Sequence, residues 1–168
     1  KKELKIQNNL EFIKDSILIK EGTKFEIGNI KTELAGSVFK RNIIDLNFSF
    51  EEQELNNIKK QTPKHLKSIY QSFEANAIIN CNGNIKGLIN RETNPHLNMI
   101  CNIKKGSFNL KNMPFMLKNV SLNAKITNGE NNNYHDTKIE ITNFDAKTEN
   151  GDIKGNFTIQ NLNKYHLT

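Results

Sequence analysis

The stretch from Glu74 to Asn90 constrains the fold of this chain more than any other. Odd positions carry Ala75, Ala77, Ile79, Cys81, Gly83, Ile85, Gly87 and Ile89. Even positions carry Asn76, Asn80, Asn82, Asn84, Lys86 and Asn90, interrupted by Ile78 and Leu88. Side chains alternate across a β-strand, so a period of two held this long predicts one strand with one apolar face. A typical strand has only about five or six residues.

The pattern recurs downstream. After a polar turn at Arg91–Pro95, Leu97, Met99, Cys101 and Ile103 alternate with Asn98, Asn102 and Lys104, and Phe108 and Leu110 follow Gly106. A further strand offers Met116, Lys118, Val120, Leu122, Ala124 and Ile126, with Lys118 the one polar residue expected on that face. Beyond the polar run Asn128–Asn133 come Ile139 and Ile141, then Ile153, Gly155, Phe157 and Ile159. Short polar connections between such strands predict an antiparallel meander. Residues 1–50 read as rougher strand pieces, including Leu4/Ile6, Leu10/Phe12, Phe25/Ile27, Leu34/Gly36/Val38 and Leu46/Phe48/Phe50.

Residues 51–73 break the rule. Glu51 and Glu52, shortly after Ser49, suit a helix N-terminus. Leu55, Ile58, Leu66, Ile69, Tyr70 and Phe73 fall near helical spacing, and Pro63 divides the segment into two short helices. The expected organisation is therefore strands over 1–50, a short helical segment over 51–73, and a long-stranded antiparallel sheet over 74–168, all one continuous unit. So little helix cannot cover strands of up to ~50 Å. The apolar face has to be hidden by a second sheet, by curling, by the rest of a longer protein, or by an apolar ligand. Alternation alone does not choose among these.

Composition narrows the function classes. The net charge of +6 permits an anionic partner. The lysines are dispersed, however, with no run longer than Lys59-Lys60 or Lys104-Lys105, and Lys, Asn and Ile are inflated together, as an AT-rich genome produces. Aromatics share a face with Ile and Leu rather than with cations, which argues against nucleic acid. No apolar run approaches the ~20 residues of a membrane helix. The chain opens Lys1-Lys2-Glu3 without Met or signal peptide and reads as an internal piece of something longer.

Two near-repeats, Asn82–Gly87 (NGNIKG) and Asn150–Gly155 (NGDIKG), invite a phosphate-loop reading. A phosphate loop needs Gly-Lys-Ser/Thr opening a helix, whereas Leu88 and Asn156 follow here in strand context. The glycines are better explained as gaps on the apolar face that let the sheet bend or another group approach. His65, His96, His135 and His166 are isolated, and no nucleophile elbow or metal spacing occurs. An enzyme is not expected, and neither a cofactor nor a metal. Cys81 and Cys101 fall on the apolar face of neighbouring strands, either as a disulfide or as two buried thiols.

In their order, several motifs resemble the AsmA-like family of bacterial envelope proteins, in its C-terminal region. They are Leu34-Ala-Gly-Ser-Val38, Asp45-Leu-Asn-Phe-Ser-Phe50, the helical segment with Thr62-Pro63, Asn84-Ile-Lys-Gly87, the Pro95 turn into Leu97–Ile103 and Lys105-Gly-Ser-Phe108. Val120-Ser-Leu-Asn-Ala-Lys125, Asn128-Gly129 and Gly151-Asp-Ile-Lys-Gly155 running into Ile159–Leu162 complete the order. The resemblance spans roughly residues 25–168.

It implies a mainly β fold, a long meander sheet curled into an open, taco-like groove. The groove would be lined by Ile79, Ile85, Ile89, Leu97, Met99, Ile103, Phe108, Val120, Leu122, Ile126, Ile139, Ile141, Ile153, Phe157 and Ile159. The implied role is non-enzymatic carriage of phospholipid or another acyl-chain lipid, serving outer-membrane lipid homeostasis. The implied place is the periplasm, tethered to the inner membrane through a segment outside this sequence, with envelope proteins as further partners. The alternative expectation is a closed β-sandwich that serves as a structural or protein-interaction module.

Overall fold

The computed structural model describes residues 4–7, 9–61, 73–90, 92–110, 114–133, 135–160 and 166–167. Nearly all of them belong to one antiparallel sheet. The first strands are β1 (Leu4–Gln7), β2 (Leu10–Ile13), β3 (Ser16–Ile27), β4 (Ile30–Phe39) and β5 (Ile43–Glu54). One α-helix follows, α1 (Leu55–Gln61). Next come the long strands β6 (Phe73–Leu88), β7 (His96–Leu110), β8 (Met116–Thr127), β9 (Lys138–Thr148) and β10 (Gly151–Gln160), and finally β11 (His166–Leu167). From β3 to β11 each strand pairs with its neighbours in chain order, while β1 and β2 both pair with β3. The far edges do not pair with each other, so the sheet is open.

The helical segment is shorter than expected. Residues 51–54 continue β5 as strand, and α1 begins only at Leu55. Glu51 and Glu52, which look like a helix start, belong instead to a bulge: the register between β5 and β6 slips between Phe50↔Cys81 and Gln53↔Ile79, and Glu52 has φ 51°. The expected second helix after Pro63 falls on residues 62–72, outside the described residues.

Such bulges recur on alternate strands. The φ angles of Gly22 in β3, Glu52 in β5, Lys105 in β7 and Asn143 in β9 are all positive, and each residue lies at a register slip. A further slip in β8 centres on Asn119, φ 52°. An extra residue on one strand bends it and strengthens the local twist. Repeated on β3, β5, β7 and β9, which all run in one direction, such bulges curl the sheet.

The bulges also reset which side chains point inward. Beyond Asn119, Leu117 rather than Met116 or Lys118 is paired with Phe108. Lys118 is exposed and leaves the apolar face, contrary to the uninterrupted alternation. In β9 the slip at Asn143 brings Phe144 and Ala146 onto the apolar face after Ile141.

Candidate functional site: the apolar face of the sheet

Cross-strand pairing assembles the alternating residues into rows. One row runs Leu34, Phe48, Gly83, Met99, Ile126, Ile139, Ile159, from β4 to β10. The next runs Phe50, Cys81, Cys101, Ala124, Ile141, Phe157. A third joins Gln53, Ile79, Ile103 and Leu122. Partners directly opposite in an antiparallel pair share a face, so these rows form one continuous apolar surface across the sheet.

That surface is buried only in part. Ala75, Ala77, Ile79, Cys81, Cys101 and Ala124 are buried together with Leu55 of α1. Phe50, Met99, Ile103, Phe108, Leu122, Ile126, Ile139 and Ile141 pack around them but stay half-exposed. Val120 is 1% exposed and Ala146 0%. A flat single layer would leave such side chains open to water on one side, so their burial reflects a concave face. In the second row the residues at the centre are small, Cys81, Cys101 and Ala124, while Phe50 and Phe157 stand at the flanks. The result is a trough with a low floor and bulky walls. Along one wall Phe144 and Phe157 meet edge to face, ring centroids 5.1 Å apart, a favourable aromatic geometry.

Of the lining residues named from sequence, cross-strand partners place all but one on this face. Ile153 pairs with Ala146 at its margin and is more than a third exposed, and Phe108 pairs with Ala75. Ile89 is the exception: it lies beyond the end of β6, exposed, with its N–H donated to the carbonyl of Asn42. Pairing also adds residues that the sequence list left out. Leu34, Leu46, Phe48 and Phe50 extend the face through β4 and β5, and Phe144 and Ala146 extend it through β9. Leu55 and Ile58 of α1 close over the end near Ala75 and Ala77.

Cys81 and Cys101 are bonded to each other on the trough floor. The glycine at position 83 serves close approach. A side chain there would begin 2.3 Å from the Asn98 carbonyl oxygen and 2.8 Å from the Phe48 ring, which lies over the gap. A shallow hollow of about 600 Å³ reaches this thin spot from the opposite face, where Asn47, Asn82, Asn84, Asn98, Ile100 and Lys125 line it.

The opposite face is polar and organised by the same registers. Asn47, Asn84 and Asn98 form one row, and Asn80, Asn102 and Asn123 another. Two of the asparagines serve the bulges. The Asn80 side-chain oxygen accepts the Glu52 N–H at 2.7 Å, and that of Asn156 accepts the Asn143 N–H at 3.0 Å. Backbone donors freed from the ladder are thereby satisfied. The lysines of the two Gly-x-Ile-Lys-Gly motifs also lie here. Lys86 pairs with Asp45 across to β5 at 2.6 Å, and Lys154 with Asp145 across to β9 at 3.1 Å. Hydrogen bonding and the charge of Asp145 hold the Lys154 ammonium above the ordinary lysine range. Both lysines are thus engaged in cross-strand ion pairs within the sheet. The two motifs differ in height, since Gly83 lies within β6 and Gly151 opens β10.

Among the described residues no group of three His, Cys, Asp or Glu side chains is placed to hold a metal ion. No protein-family model, curated protein or solved structure matches the chain.

Proposed function

We propose that this chain is a lipid-carrying β-groove segment of a bacterial envelope protein of the AsmA-like type. It would bind phospholipid acyl chains along its concave face and contribute to outer-membrane lipid homeostasis without catalysing a reaction. The observation that carries the reading is the half-exposed apolar face. A row rich in Ile, Leu, Met and Phe crosses from β4 to β10 and a second crosses from β5 to β10, and α1 covers only one end among the described residues. An acyl chain laid on such a surface gains up to ~0.8 kcal/mol per buried methylene, while its headgroup stays in water. The order of sequence motifs supports the family, and the disulfide suits an oxidising compartment such as the periplasm. A closed sandwich needs a second sheet, and the described strands form one sheet.

A fluorescent acyl-chain probe tests this reading. Saturable binding is expected, weakened several-fold by Met99→Gln, which puts an amide at mid-trough. A protein that takes up no probe sinks the proposal.

A further inference from the structure

The sheet has one end that does not fit its general division into an apolar and a polar face. This is the hairpin end away from α1, where the turns after β2, β4 and β6 come together. A register row there runs Ser16, Phe39, Ile43, Leu88 on the face opposite the trough. Elsewhere that face carries mainly Asn, Lys, Asp and Glu, with Ile78 and Ile100 as single exposed apolar residues, whereas here three stand side by side in one row: Phe39 is 45% exposed, Ile43 43% and Leu88 39%. Ile13, opposite Ser16, is 49% exposed, and Ile89 is 44% exposed. Next to Ile13 in sequence, Phe12 pairs with Ile17 and so stands on the trough side of the same edge; at 77% it is the most exposed large apolar side chain among the described residues.

Cations accompany these side chains. Lys14 follows Phe12 and Ile13 in one turn, and Lys40 and Arg41 follow Phe39 in the next. All three are exposed. Asp15 pairs with Lys40, which leaves Lys14 and Arg41 without an acidic partner among the described residues. Arg41 and Asn42 both take left-handed backbone conformations, φ 68° and 61°, uncommon for residues other than glycine.

We propose that this end of the sheet docks onto an anionic lipid bilayer. Exposed Phe, Ile and Leu flanked by unpaired Lys and Arg make up the composition that seats at the boundary between headgroups and acyl chains. A strip of turn tips is narrow beside the ~800 Å² per partner of a stable protein interface, whereas a bilayer accepts it. The inference is independent of what the trough holds. If the trough does carry lipid, docking would bring the end away from α1, at Leu46, Ile85 and Leu97, towards the membrane.

Flotation with vesicles of phosphatidylcholine alone, and of phosphatidylcholine with phosphatidylglycerol, tests the proposal. The protein should float with the anionic vesicles and less so as salt rises. Phe12→Ser combined with Phe39→Ser should weaken binding by about tenfold or more. Lys14→Glu with Arg41→Glu should abolish the preference for phosphatidylglycerol. Ile89→Ser, outside every strand, should weaken binding with no change in circular dichroism, which covers the case of a double variant that misfolds. Met99→Gln, which tests the trough, should leave flotation intact. Absence of binding to anionic vesicles overturns the proposal. So does binding indifferent to all of these end variants, or self-association through the same residues without vesicles.

Discussion

Cys81 and Cys101 stand directly opposite each other on β6 and β7, with Cα atoms 4.2 Å apart, and their disulfide lies buried on the trough floor. The bond spans 20 residues of sequence and ties the two longest strands together. Closing a loop of that size restricts the unfolded chain by about 3 kcal/mol, or roughly 6–12 °C in Tm for a chain of this length. Replacing both cysteines by alanine should lower Tm by about that much. Reductant should produce a similar drop in the parent and none in the variant, as read by thermal unfolding with and without dithiothreitol.

Gly83 and Gly155 both lie under an aromatic ring, yet they should respond differently to alanine. At Gly83 the new methyl meets the backbone carbonyl of Asn98, which cannot move without breaking the register. At Gly155 its nearest neighbour is the Phe157 ring at 3.3 Å, a side chain able to give way. Gly83→Ala is expected to cost about 1–3 kcal/mol. Gly155→Ala should stay within about 1 kcal/mol of the parent, in either direction. Chemical denaturation of the two variants checks the contrast, and equal losses would argue against the close approach at Gly83.

Asn80 and Asn82 are neighbours on the polar face with different work. Asn80 accepts the bulge N–H of Glu52, while no hydrogen bond within the described residues engages the Asn82 side chain. Asn80→Ala should destabilise by about 0.5–1.5 kcal/mol. Asn80→Asp, which keeps the acceptor, should recover most of that, and Asn82→Ala should be close to neutral. Hydrogen exchange at the Glu52 amide reports the same loss locally, as faster exchange in Asn80→Ala alone.

The last of these contrasts shows what could be read from the sequence. A single sheet with one dry face imposes a period of two, so β6, the first half of β7 and most of β8 are visible in the alternation from Ala75 to Ile126. The bulges are not, because Lys105, Asn119 and Asn143 take positive φ without being glycine. Each one shifts the alternation by a residue, which is why Phe144 and Ala146 escape the pattern and Lys118 falls on the wrong face. Glu51 and Glu52 make the end of β5 look like the start of a helix, whereas they form a bulge after which Gln53 is buried on the apolar side. The asparagines look like base composition until the register sets Asn80 and Asn156 beside the bulge amides that they satisfy. Helix α1 is legible only as Leu55 and Ile58 at helical spacing, the two side chains that close one end of the trough.

Native mass spectrometry of protein purified under mild conditions tests the central claim, that the concave face from β4 to β10 holds acyl chains. The expected spectrum contains discrete adducts of phospholipid mass on the monomer, depleted when Met99→Gln and Leu122→Gln are combined. A lipid-free monomer, or a dimer with the apolar faces of two copies buried against each other, would contradict it.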